Sequence, residues 1–478
     1  MLNRFPPPQL RSFLAALIVV VAAQAAQPLS LHPDNPHYFL FRGRPTVLIT
    51  SAEHYGAVLN LDFDFEKYLR TLAADRLNLT RTFSGAYCEP PGAFNIARNT
   101  LAPLPGRFIA PWARSTQPGY ANGGTKFDLD RWDPNYFQRL KSFVASAGKQ
   151  GVVVELNLFC PFYEDSMWVL SPMNASNNIQ GVGAVARTNV YTLDRHAGLL
   201  PYQEAMVRKV VTELKDFDNL YYEICNEPYF GGVTLDWQAH IARLIVETER
   251  GLGVRHLISQ NIANGREKVE KPDGNVSILN FHYATPPDAV ALNYGLGRVI
   301  GDNETGFNGT QDAPYRIEGW GFLLAGGALF NHLDYSFVAG HEDGTFAYPL
   351  TQPGGGNPAF RRQLRHLRDF IESVPFLEMR PEPKFIRAGL PPKHTAHVLA
   401  KPGEVWAAYL ARPAKEPTGR QSARLQLDLP PGDYRVTWLN PVTGAIDRRQ
   451  SLHHETGMAT IESPEYLDDV ALKIERDR

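Results

Sequence analysis

Eight short runs rich in β-branched residues recur along the first three-quarters of the chain, and amphipathic helical stretches separate most of them. The first run is Pro45 to Thr50, followed by Phe63 to Asp75, where Phe65, Tyr68, Leu69 and Leu72 fall at helical spacing. Leu77 to Phe83 is the second, Val152 to Phe159 the third and Leu220 to Asn226 the fourth. The helix-like stretches Tyr136 to Lys149, Tyr202 to Lys215 and Trp237 to Arg250 lie around them. His256 to Ser259, Ile278 to His282 and Val299 to Asn303 follow, then a buried helix over Pro314 to Phe330, an eighth run at Leu333 to Phe337 and a closing helix from Phe360 to Val374. Strands that alternate with helices form a parallel sheet, because a parallel crossover needs a helix-length connection. Eight such units in about 350 residues fit a closed α/β architecture, a (β/α)8 TIM barrel, better than an open sheet.

The texture changes past residue 378. Pro381, Pro383, Pro391 and Pro392 mark a linker. Alternating runs over His397 to Ala400, Val405 to Ala411, Ala423 to Leu429 and Asp433 to Leu439 follow, with turns at Pro430, Pro431, Gly432 and Gly444. No helical period appears, so 379–478 reads as a small antiparallel β-sandwich domain and 27–378 as the barrel. Residues 1–26 read as a signal peptide. Arg4 and Arg11 precede an apolar run from Phe13 to Ala23, and small residues follow. The run is too short to span a bilayer. The expectation is a secreted or periplasmic protein with no stable membrane insertion.

Lys and Arg number 48 against 50 Asp and Glu, a net charge of −2, so no long-range field favours nucleic acid. Three cysteines, Cys88, Cys160 and Cys225, lack metal-ligand spacing. Buried free thiols account for them, with a Cys160–Cys225 bridge left open. The sequence calls for no metal and no cofactor, and leaves the oligomeric state undetermined.

Two long stretches break the alternation, Gly85 to Arg131 and Cys160 to Leu199. Both follow strands, so both lie on the barrel face where active sites are built. Ile224-Cys225-Asn226-Glu227-Pro228 places a carboxylate at the C-terminal end of the fourth strand, and Pro228 stops the strand. Val299-Ile300-Gly301-Asp302-Asn303-Glu304 does the same on the seventh. The ends of strands four and seven face one another across a barrel mouth. Two carboxylates flanking a cleft are the machinery of glycosidic cleavage: one protonates the leaving oxygen while the other attacks carbon or activates water. Their mutual repulsion pushes their proton affinities apart, which lets one hold its proton near neutrality.

An Asn-Glu-Pro on strand four with a Glu on strand seven resembles the clan of retaining (β/α)8 glycoside hydrolases that includes the cellulase-like family 5. The resemblance implies a carbohydrate substrate, with Glu227 as acid/base, Glu304 as nucleophile and Asn226 on the sugar 2-hydroxyl. It also implies that Arg81 orients the nucleophile and that Tyr283 hydrogen-bonds Glu304, with His282 beside it; for His282 a structural role fits equally. Two departures bear on the sugar rather than the reaction. The third strand carries Glu155-Leu156-Asn157 without the usual His, and the eighth ends His332-Leu333-Asp334-Tyr335 without the usual Trp. Trp112, Trp168 and Trp320 are the alternative stacking platforms, and Trp320 and Tyr335 are assigned to the substrate. His32-Pro33-Asp34-Asn35 to Arg44-Pro45 resembles the start of apiosidase-like hydrolases. Gly432-Asp433-Tyr434 to Gly444 resembles an appended sandwich sometimes termed collagen-binding.

Gly181 to Ala186 approaches a dinucleotide fingerprint but follows no strand. No Gly-x-Ser-x-Gly elbow is present. The competing reading is a catalytically silent carbohydrate- or matrix-binding surface protein, which has no need to keep both carboxylates.

Overall fold

The structure is a computed structural model that describes residues 27–413 and 419–477; the expected signal peptide lies outside the described residues. Eight parallel strands form a near-closed barrel: β1 (Leu48–Ala52), β2 (Leu79–Phe83), β3 (Val153–Phe159), β4 (Leu220–Cys225), β5 (Ile258–Asn264), β6 (Ile278–His282), β7 (Val299–Thr305) and β8 (Leu329–Leu333). From β2 to β8 each strand pairs with the next, β8 pairs in turn with β1, and β1 and β2 meet without a ladder between them. The seam between β1 and β2 is closed by Asn78, whose side-chain oxygen accepts from Ile49 N at 2.8 Å and whose own N–H reaches Ile49 O at 3.2 Å.

Besides a single turn at Asp165–Trp168, the helices among the described residues are α1 (Phe65–Ala74), α2 (Pro134–Lys149), α3 (Leu200–Leu214), α4 (Leu235–Leu252), α5 (Asp288–Asn293), α6 (Asp312–Leu324) and α7 (Pro358–Glu372). Their starts are written in the sequence. Asp64, Asp133, Thr234 and Asn357 cap α1, α2, α4 and α7 by accepting from first-turn N–H groups. Among the described residues no helix connects β5 to β6. The eighth strand is Leu329–Leu333, four residues before the expected run, and α6 stops at Leu324 rather than Phe330. Helix and strand there form one unbroken apolar stretch that periodicity alone cannot divide. The remainder of the expected run, Asp334 to Phe337, opens a third long loop that continues to α7.

Residues from Arg380 onward form a six-stranded antiparallel sheet facing a three-stranded one. Between them lies a core that includes Trp406, Tyr434, Trp438 and Leu425. The larger sheet docks on α6. Trp320 stacks on Tyr409 with ring centroids 5.4 Å apart, and Arg316 donates to Asp469 at 2.8 Å. Tyr409 donates to the same carboxylate at 2.6 Å. This corrects the assignment of Trp320 to substrate: its side chain is fully buried at the junction of barrel and sandwich.

Candidate active site

Glu227 and Glu304 meet at the C-terminal mouth of the barrel, and a bulge explains how. Phe281 pairs with Asp302 but His282 pairs with Glu304, so β7 carries one extra residue at Asn303. Strict alternation would turn Asn303 and Glu304 to opposite faces. With the bulge both point inward, Asn303 onto Glu155 and Glu223 beneath the mouth and Glu304 into the cleft. Asp302 faces outward to Glu318 of α6. Glu227 sits two residues past β4 in the left-handed region, with φ 34°, and its N–H is tied to Asn261 Oδ1 at 2.8 Å. Tyr55 and Tyr283 also adopt positive φ, 61° and 53°. Non-glycine residues hold this conformation only where the surroundings impose it, and such positions cluster at working sites.

Glu304 is held from three sides. Arg81 Nη1 donates to Oε2 at 3.1 Å, Tyr55 to the same oxygen at 2.9 Å and Tyr283 to Oε1 at 3.0 Å. Arg81 is fully buried and also binds Glu223 at 2.6 Å and Asn226 Oδ1 at 2.6 Å. Glu155, its third acidic neighbour, is pushed well above the ordinary carboxyl range by burial and by the charge of Glu223. Its Oε1 stands 3.7 Å from Arg81 Nε, so the direct hydrogen bonds of Arg81 to carboxylates go to Glu223 and Glu304. Asn226 Nδ2 donates to Tyr163 at 2.8 Å, and Tyr163 donates to Glu227 Oε2 at 2.6 Å.

His282 joins the pair. Its Nδ1 lies 3.2 Å from Glu227 Oε1 and 3.5 Å from Glu304 Oε1. These three ligand atoms lie within 4.8 Å of one another. That set has the shape of a small-cation site, but the Arg81 guanidinium already supplies positive charge to Glu304. Burial pushes the Glu227 carboxyl up, yet the hydrogen bond and charge of His282, with Tyr163 and Asn264, outweigh it and hold the group below its ordinary value. His282 thus works against the proton that Glu227 is expected to hold.

The cleft encloses about 410 Å³. A larger groove of about 670 Å³ on the barrel flank touches neither Glu227 nor Glu304, and size alone does not make it the site. Arg81, Asn226, Glu227, His282, Tyr283 and Glu304 are brought together as one network. Tyr335 is not in the cleft wall: it is buried behind it, edge-on to His54 and Phe307. Trp112 and Trp168 are buried in the core, and the exposed aromatics at the mouth are Phe94, Phe307, Tyr229 and Phe230. Tyr55, Tyr163, His54, Glu89 and Asn264 were not anticipated. The polar triplet Glu53-His54-Tyr55 beyond β1 carries the same signal as Asn226-Glu227 beyond β4. It goes unread when the first strand is ended at Thr50. All three cysteines are buried and free, although Cys160 lines the cleft.

Residues 107–288 match the cellulase (glycosyl hydrolase family 5) model. No curated protein matches the chain. Among solved structures, a putative glycoside hydrolase from Bacteroides vulgatus is similar with TM-score 0.62 at 13% identity, over 94% of this chain and 82% of that one. A glycoside hydrolase family 5 protein from the same organism gives 0.62 at 12%, over 95% and 96%. At such identity these two show the fold alone. The chain is a glycoside hydrolase, and its cellulase-like stretch spans β3 to β6 of the barrel.

Proposed function

We propose that the chain is an exported glycoside hydrolase that cleaves O-glycosidic bonds of a poly- or oligosaccharide by retaining double displacement. Glu304 attacks the anomeric carbon while Glu227 protonates the departing oxygen; Glu227 then deprotonates water, which releases the sugar from Glu304. The observation that carries this reading is the approach of the two carboxylates, whose nearest oxygens lie within 4.8 Å. Retaining pairs stand about 5–5.5 Å apart, whereas inverting pairs need roughly 6.5–9.5 Å to admit a water.

Arg81, Tyr55 and Tyr283 fix the orientation of Glu304 with three donors, which suits a nucleophile. Glu227 lies within hydrogen-bond reach of His282 at 3.2 Å. As a sugar and its leaving group displace water, the loss of solvation favours the neutral carboxyl. The fourth-strand Asn226, clamped between Arg81 and Tyr163, is placed for the sugar 2-hydroxyl. Export rests on the leader-like order of residues 1–26.

The test is hydrolysis of a panel of aryl β-glycosides and plant or bacterial polysaccharides by the protein and by Glu304→Ala. Turnover abolished in the variant supports the reading. Silence of the wild-type protein across the panel favours a carbohydrate-binding protein instead.

A further inference from the structure

The two ends of the cleft differ. Beyond Glu227 it is bounded by Phe230, which is 52% exposed. Beyond Glu304 its floor is His54, Glu89 and Leu101, which are 8%, 4% and 1% exposed, beneath a rim of the more exposed Phe94 and Phe307. The second end is sealed by bonds between loops. Thr100 donates to His54 O at 2.8 Å, Asn60 to Thr100 O at 3.0 Å, and Glu89 N to Leu101 O at 2.8 Å. A Cβ on Gly56 would stand 2.2 Å from Thr100 O, so glycine is what lets the two loops close up. The same wall is pinned to the loop after β8 by Ala97 N to Gln352 at 2.9 Å and Arg98 to Ala339 O at 2.6 Å.

Inside this blind end His54 Nε2 and Glu89 Oε1 stand 3.9 Å apart, too far to bond each other. One hydroxyl oxygen fits between them, accepting from the imidazole N–H and donating to Glu89 Oε1. Burial holds His54 down at about 4, so the ring is neutral and offers one donor and one acceptor. Glu89 is already anchored by Tyr87 on Oε1 at 3.0 Å and by Asn99 on Oε2, and burial pushes its carboxyl up to about 7.

Resting on the retaining reading above, we infer that the cleft is a blind pocket for one non-reducing terminal sugar, whose hydroxyl bridges His54 and Glu89, so that the enzyme removes single residues from chain ends. The sugar attacked by Glu304 lies on the Glu304 side of the scissile bond, and that is the sealed side. The rest of the chain leaves past Glu227 over Phe230. A volume near the lower limit of roughly 300–1,000 Å³ for small-molecule sites agrees with a short occupant.

The experiment uses the full protein with reducing-end-labelled hexasaccharides of β-1,4-linked glucose, mannose and xylose, together with 4-nitrophenyl monosaccharides and their monodeoxy analogues. The expected result is labelled product shorter by one residue at a time, with monosaccharide as the sole unlabelled sugar. His54→Phe and Glu89→Gln lower kcat/KM on the aryl monosaccharide at least tenfold, and one monodeoxy analogue is cleaved equally by wild type and variants. Labelled fragments of middle length at early times overturn the inference while leaving the glycosidase intact. So does an equal loss on every deoxy analogue, which marks a merely structural role. No cleavage of any substrate defeats the underlying glycosidase reading, and the inference falls with it.

Discussion

Nδ1 of His282 lies 3.2 Å from Oε1 of Glu227, inside the barrel mouth and away from bulk water. Burial alone would raise the Glu227 carboxyl, and the hydrogen bond and charge of His282 are the largest influences that bring it down. Removing them leaves burial less opposed, so the group holds its proton to higher pH. His282→Asn therefore moves the alkaline limb of the kcat/KM profile upward, because that limb reports loss of the proton from the acid. A limb that stays or moves down contradicts the hold of His282 on Glu227.

Tyr55 and Tyr283 each donate to Glu304, one to each oxygen. A hydrogen bond to a charged group contributes about 1.5–3 kcal/mol, and each ~1.4 kcal/mol is tenfold in rate. Steady-state kinetics of Tyr283→Phe and Tyr55→Phe show kcat reduced about 10- to 100-fold in each. Wild-type turnover in both would mean that Glu304 is positioned by Arg81 alone.

The carboxylate pair was legible because each Glu ends an apolar run, and a strand end is visible in sequence. The bulge at Asn303 was not, since pairing register is a property of two strands at once; without it Asn303 and Glu304 cannot both point inward. Trp320 misled for a related reason. A large aromatic on a late barrel helix suits a sugar platform until a second domain covers it, and the contact with Tyr409 joins residues far apart in the chain. Tyr163 lies in a long irregular loop, where no period marks which side chain turns toward the mouth.

Trp320 sits between α6 and the sandwich, stacked on Tyr409 and tilted against Phe370 at 5.2 Å. Replacing a buried Trp by Ala costs about 3–5 kcal/mol. Trp320→Ala lowers stability in chemical denaturation by that order while KM stays at the wild-type value. A raised KM with unchanged stability would return Trp320 to the substrate.

Asp302 and Glu318 form a buried acid pair outside the barrel, with Thr305 donating to Glu318 at 2.7 Å. Burial raises Glu318 to about 7, and burial and then Glu318 raise Asp302 further. Between the unfolded value near ~4.3 and that folded value, the native state holds protons the unfolded chain has lost. Stability therefore falls as pH rises through this window. Glu318→Gln removes part of the slope, so its stability relative to wild type improves from pH ~5 to ~8, by an amount on the order of 3 kcal/mol. A constant difference across that range contradicts a protonated pair.

The central claim is that Glu304 forms a covalent bond to the sugar, and stereochemistry tests it most directly. Proton NMR of the first product formed from a cleaved β-glycoside, read before mutarotation, distinguishes the outcomes. The β-anomer first is the predicted result, since two displacements restore the configuration. The α-anomer first means a single displacement by water and contradicts the account.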